Sequence, residues 1–191
     1  MHSSYDILLA QHCGAVFLQK KPAALITITS KSRDLLQLQK TLKRSGLQLL
    51  SLRKVRTRQL LLIYHPAMLS RQLSCPIAKK TLSLHGYPLT LDLPLMLQHL
   101  KKRFAMCDDF PHEVGFFLGY PSLDVVGFLQ HKGKDAKHTC KWKVYDDVKK
   151  AEALCAAYDT CQKICLQHIM SGGTFSSLTN SVQTAAIAAV I

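Results

Sequence analysis

Two apolar runs, Leu47 to Lys54 and Gln59 to His65, are separated only by the basic connection Val55-Arg56-Thr57-Arg58. So short a link returns the chain beside itself, and the pair is read as an antiparallel hairpin whose second strand ends at Pro66. Ala23 to Thr29, mostly β-branched from Ile26 onward, reads as a further strand, and Thr139 to Tyr145 as a fourth. In that fourth segment Cys140, Trp142 and Val144 face one way, while Lys141, Lys143 and Tyr145 face the other.

Helical patterns fill the intervals. The first runs from Tyr5 to Cys13 and stops at Gly14; the second follows Ser30 or Ser32 as a candidate N-cap, with Leu35, Leu36, Leu38 and Leu42 on its apolar side, and ends at Gly46. Short pieces follow through Met68, Ile77 and Leu84, then a clearer helix from Asp92 to Met106. Two more lie between Phe110 and Lys132, split by Gly119-Tyr120-Pro121. A long helix capped by Asp146 and Asp147 runs to about His168 and stops at Gly172-Gly173. This order predicts an α+β fold, a small mixed or antiparallel sheet of about four strands with helices packed on it. Residues 1–171 are read as a single domain and 172–191 as a flexible C-terminal tail.

Charge is distributed unevenly. The formal net charge of +13 on 191 residues points to an anionic partner. Residues 1–91 hold fourteen Lys or Arg against two acids, a net of +12, so the other half is nearly neutral. Neither a secretory signal pattern nor an apolar stretch long enough to span a bilayer is found, and the protein is expected in the cytoplasm. Seven cysteines, an odd number without a C-x-x-C, are expected to be reduced thiols rather than a zinc ribbon or redox motif.

The run Phe110-Pro111-His112-Glu113-Val114-Gly115-Phe116-Phe117-Leu118-Gly119-Tyr120-Pro121 is followed by Asp124-Val125-Val126-Gly127-Phe128, His131-Lys132-Gly133-Lys134 and Trp142-Lys143-Val144-Tyr145. With His12-Cys13, Tyr64-His65-Pro66 and Tyr158-x-x-Cys161, it resembles an uncharacterised bacterial family, domain of unknown function 3793, over roughly residues 5 to 170. The resemblance implies no activity. Where that family usually reads G-Y-W-K-V-Y-G-D, this chain reads Cys140-Lys141-Trp142-Lys143-Val144-Tyr145-Asp146-Asp147, lacking two glycines and an aromatic.

Candidate chemistry is read from four places. His112 and Glu113, at a helix start, suit acid–base catalysis, although Phe116 occupies the second His position of H-E-x-x-H, and local packing with a favourable helix-dipole contact is the plainer reading. Lys132, Gly133, Lys134, Trp142 and Lys143 form a candidate ligand site, with cationic contacts from the lysines and stacking from Trp142. A solvated basic loop is the competing account. Cys161, Cys165 and His168 share a helix face at i, i+4 and i+7, a weak metal set that an ordinary buried stripe explains better. Adjacent His12 and Cys13 carry little weight as a thiolate–imidazole pair. The identity of any cofactor is left open by the sequence. The reading favoured is a binding module for an anionic small molecule or an acidic, redox-type protein partner. The alternatives are an enzyme using His112 and Glu113, or nucleic-acid binding through Arg53, Lys54, Arg56 and Arg58.

Overall fold

The computed structural model describes residues 4–29, 32–88, 90, 92–106, 109–175 and 177–178. Its elements are α1 (Ser4–Phe17), β1 (Ala23–Thr29), α2 (Ser32–Arg44), β2 (Gln48–Val55), β3 (Arg58–Tyr64), α3 (Pro66–Leu73) and α4 (Pro76–Leu84). They continue with α5 (Leu93–Met106), α6 (Val114–Phe117), α7 (Ser122–His131), β4 (His138–Thr139), β5 (Lys143–Val144) and α8 (Val148–Met170). The fold is α+β. The candidate cap Ser30, Cys107 and residues 179–191 of the expected tail lie outside the described residues.

The main sheet has the order β1-β3-β2, with β3 antiparallel to both neighbours. β1 and β2 therefore run parallel without touching, and β1-α2-β2 is a split β-α-β unit with the hairpin's return strand inserted between its two strands. Both faces of the sheet are covered. Ala24, Ile26 and Ile28 of β1 join Leu61 and Ile63 of β3 in a core with α1, α2 and the end of α8, while Ala23, Leu62 and Tyr64 face a second core with α3, α4, α5 and α6. Two-sided burial explains why Leu60 to Tyr64 is continuously apolar instead of alternating with polar residues. Phe175 and Leu178, from the segment read as a tail, also enter the first core, with Phe175 stacked on Phe17 at 4.2 Å.

Three expectations need correction. Helix α1 does not stop at Gly14 but continues to Phe17, because Gly14 serves a helix crossing. A Cβ there would lie 3.0 Å from the Cys161 carbonyl oxygen and 3.0 Å from Gln162 Cα, so its absence lets α1 approach the backbone of α8. The expected fourth strand is a separate miniature hairpin in which His138 pairs with Val144 and Thr139 with Lys143. The Cys140 N–H donates to the Trp142 carbonyl at 3.0 Å, which closes the reversal. The facing still holds in burial: Trp142 and Val144 are buried, and Lys141 and Lys143 are exposed. Finally, the cysteines are not all reduced. Cys140, on the hairpin turn, and Cys155, on the buried stripe of α8, are joined in a disulfide with Cα atoms 6.6 Å apart, whereas Cys13, Cys75, Cys161 and Cys165 are free.

Among the described residues no helix is long and apolar enough to cross a membrane. Replacing Gly14 with Val places two methyl groups where α1 meets backbone; we expect a loss of about 1–3 kcal/mol in urea unfolding, with helix content kept. An unchanged midpoint would show that the crossing has slack.

Candidate functional site

Helix α7 begins with Ser122-Leu123-Asp124, and Asp124 is 2% exposed. A carboxylate buried that deeply must be hydrogen-bonded, and this one is saturated by the miniature hairpin. Trp142 Nε1–H donates to Oδ2 at 2.7 Å, while the backbone N–H groups of Tyr145 and Asp146 donate to Oδ1 at 2.8 and 2.9 Å. Gly127, one turn further along α7, makes room for this docking: a Cβ on it would sit 2.5 Å from Tyr145 Cβ. From the other side, α8 holds the same hairpin through the Cys140–Cys155 disulfide and the Lys141–Asp159 ion pair.

The fastened hairpin forms one wall of a cleft of about 760 Å³, in the range of cavities that take small molecules. Trp142, Lys141 and Lys143 line it from the hairpin, Val125 and Phe128 from α7, and Ala24 and Leu25 from the start of β1. His12 of α1, His112, Phe110 and Tyr120 complete much of the rim. The aromatic side chains are ordered against one another. Tyr120 stacks on Trp142 at 4.8 Å, Tyr158 tilts against Trp142 at 6.4 Å, and His112 lies 4.5 Å from the Phe128 ring.

Lys21, in the short link between α1 and β1, also lines the cleft and is half-buried. Its Nζ lies 5.2 Å from the Tyr120 ring centroid and 5.5 Å from that of Tyr158, within reach of cation–π attraction. Among the described residues no carboxylate is within ion-pair distance of it. Burial, reinforced by the positive charge of Lys141, pushes the Lys21 ammonium down to about 8, with Cys13 pulling the other way. Burial pushes Tyr158 up to about 12, so both rings beside Lys21 stay neutral phenols near pH 7.

The sequence-derived site residues separate into distinct places. Trp142, Lys143 and His112 meet in the cleft, whereas Lys132 and Lys134 are exposed outside its lining. Gly133 is buried, and its carbonyl accepts from Lys143 Nζ, while the Lys134 carbonyl accepts from the Tyr145 hydroxyl at 2.9 Å. The basic loop thus braces the hairpin. Glu113 is 1% exposed and, unlike His112, is not among the residues lining the cleft; Arg103 Nε donates to its Oε1 at 2.7 Å, with the Tyr87 hydroxyl at 3.4 Å. It is committed to a buried ion pair rather than to the dipole contact expected of a helix start.

Cys161 and Cys165 are buried in different cores, and His168 bonds the Thr174 carbonyl at 3.1 Å and Ser177 Oγ at 2.9 Å. Among the described residues no group of three or more His, Cys, Asp or Glu is arranged to hold a metal ion. The His12–Cys13 pair is split: His12 lines the cleft, and burial pushes the Cys13 thiol up to about 12. Sequence reasoning missed Lys21 and the role of Asp124. Lys21 meets Tyr120 and Tyr158 only through tertiary packing, so nothing local marks it. The signal for Asp124 was the opposite partner: a buried indole N–H needs an acceptor, and an acid in a helix first turn can supply one.

A family model described as "Protein of unknown function (DUF3793)" matches residues 9–179. No curated protein and no solved structure matches the chain.

Two substitutions test how the wall is held. Asp124→Ala strands the Trp142 indole and two backbone donors, and we expect a loss of about 3 kcal/mol or more together with a shifted Trp142 emission, readable because this is the sole tryptophan. Cys155→Ser opens a crosslink spanning 15 residues and should cost about 3 kcal/mol in non-reducing buffer. Dithiothreitol should lower the wild-type midpoint toward that of the Ser variant and leave the variant unmoved; equal midpoints with and without reductant would contradict this.

Proposed function

As the chain belongs to DUF3793, a family of proteins of unknown function, we propose on the geometry alone that it binds an anionic small molecule with a planar apolar portion in this cleft. The observation that carries the reading is Lys21, a half-buried ammonium in a cavity, faced by neutral rings. A cation taken partly out of water gains most from an anion that shares its low-dielectric surroundings. Lys143 and Lys141 add positive charge at the hairpin, and His12 and His112 add polar contacts on the facing rim. Phe110 and Phe128 offer flat apolar surface for the remainder of such a ligand, and the buried Trp142 lines the same cleft.

The densest group of N-terminal charges lies in another place. Arg53, Lys54, Arg56 and Arg58 are exposed at the hairpin tip, where Thr29 pairs with Arg58, whereas the cleft begins at Ala24 and Leu25. Thr29 lies four residues along the strand from Leu25, about 13 Å away. A macromolecular polyanion or an acidic protein partner would find its charge complement at the tip, and a small anion in the cleft. The site residues proposed are therefore Lys21, Lys143 and Trp142, with His112 on the rim. Acid–base catalysis by His112 together with Glu113 loses support because the Glu113 carboxylate is occupied by Arg103.

Trp142 is the built-in reporter. Titration with benzoate, adenosine monophosphate and flavin mononucleotide should give saturable changes in its emission for at least one, weakened about tenfold in Lys21→Met. Affinity should fall as pH rises through about 8, where Lys21 loses its charge, and that fall should vanish in Lys21→Met. No saturable response to any of the three would contradict the reading.

A further inference from the structure

Most lysines of this chain are exposed, as hydrated ammonium groups are; Lys21 lines the cleft with its Nζ near both the Tyr120 and the Tyr158 rings. A lysine becomes a nucleophile when its neighbourhood disfavours the ammonium, through loss of water and proximity to a second cation. Both conditions are met: Lys21 is held partly out of water in the cleft, and Lys141 of the hairpin, which lines the same cleft, adds a second positive charge, one it shares with Asp159. We propose that the Lys21 amine forms an imine with an anionic aldehyde or ketone bound in the cleft. The proposal rests on the cleft being the anion site, and it names the chemical class of compound that the site takes.

The groups facing Lys21 are compatible with this. Cys13 of α1 is a protonated thiol at neutral pH, Tyr120 and Tyr158 are neutral phenols, Lys141 is cationic, and His12 lies on the same cleft. Asp124 also lines the cleft, but its oxygens are taken up by the indole and two backbone N–H groups. With the ammonium at about 8 rather than 10.5, the free-amine fraction at pH 7 is about three hundred times that of an exposed lysine. In the reaction the Nζ lone pair attacks the carbonyl carbon and the carbonyl π pair moves to oxygen. A proton passes from nitrogen to that oxygen to give a carbinolamine. The hydroxyl then leaves as water with the second nitrogen proton as the C=N bond forms. The step needs no oxidant or reductant. With Lys21 as the nucleophile, the ligand's anion is left to the other cations that line the cleft, Lys141 and Lys143.

The test uses 4-formylbenzoate as the anionic aldehyde, benzaldehyde as the aldehyde without the anion, and benzoate as the anion without the aldehyde. Each is incubated with the full chain, reduced with borohydride, and mapped by peptide mass spectrometry, with Trp142 emission followed in parallel. We expect 4-formylbenzoate to be trapped on Lys21 at least about tenfold more than on any other lysine. Benzaldehyde should be trapped there weakly, and trapping should rise as pH approaches 8. Lys21→Arg should lose the adduct; if that variant does not fold, the wild-type map decides alone. A saturable emission response with no Lys21 adduct, or an adduct spread evenly over the lysines, overturns the imine and leaves anion binding standing. Neither response nor adduct overturns both.

Discussion

The Asp124 carboxylate is the point on which the candidate site depends. It is nearly inaccessible to water, yet all three groups that satisfy it come from one short segment, residues 142–146. Two strands of two residues each cannot hold a hairpin together by ladder bonds. The hairpin owes its position instead to charge-assisted hydrogen bonds from α7, with the disulfide and an ion pair tying its turn to α8. Desolvating the carboxylate without those donors is costly, so the helix and hairpin form as a unit.

This arrangement explains why a cleft exists between them. Trp142 cannot swing to fill the space, because its indole N–H is fixed to Asp124 and its face is stacked on Tyr120. Gly127 and Gly14 set the depth of the surrounding walls by letting Tyr145 and α8 approach backbone directly. The cations then divide by location. Those at the β2–β3 tip are exposed and far along the sheet; Lys21 is held partly out of water beside neutral phenols with no carboxylate partner among the described residues, and it is the charge with most to gain from a ligand.

The sequence carried the main architecture because its signals were local. The Val55–Arg58 connection specified the hairpin, Pro66 and Pro76 opened α3 and α4, and Asp147 capped α8 by accepting from the Lys150 N–H at 3.0 Å. Where it misled, a tertiary contact had displaced a local rule. Gly14 looked like a helix stop but is a crossing point; Thr139–Tyr145 alternated like a strand but is folded back by its donors to Asp124. At the site, the aromatic and basic pattern around Trp142 and Lys143 was visible, and so was His112. Lys21 was not, since its partners lie about a hundred or more residues away in the chain. Glu113 was visible, but its partner Arg103 was not, because Arg103 comes from a different helix.

The central claim is that anions are bound at the Asp124-anchored cleft rather than at the more highly charged hairpin tip. A ¹H–¹⁵N correlation spectrum recorded during titration with benzoate tests it most directly, since the indole N–H of the only tryptophan gives a single assignable signal at the cleft. Saturating shifts are expected at the Trp142 indole and at the backbone of Lys21, His112 and Lys143. Shifts confined to residues 53–58, with the Trp142 indole unmoved, would contradict it.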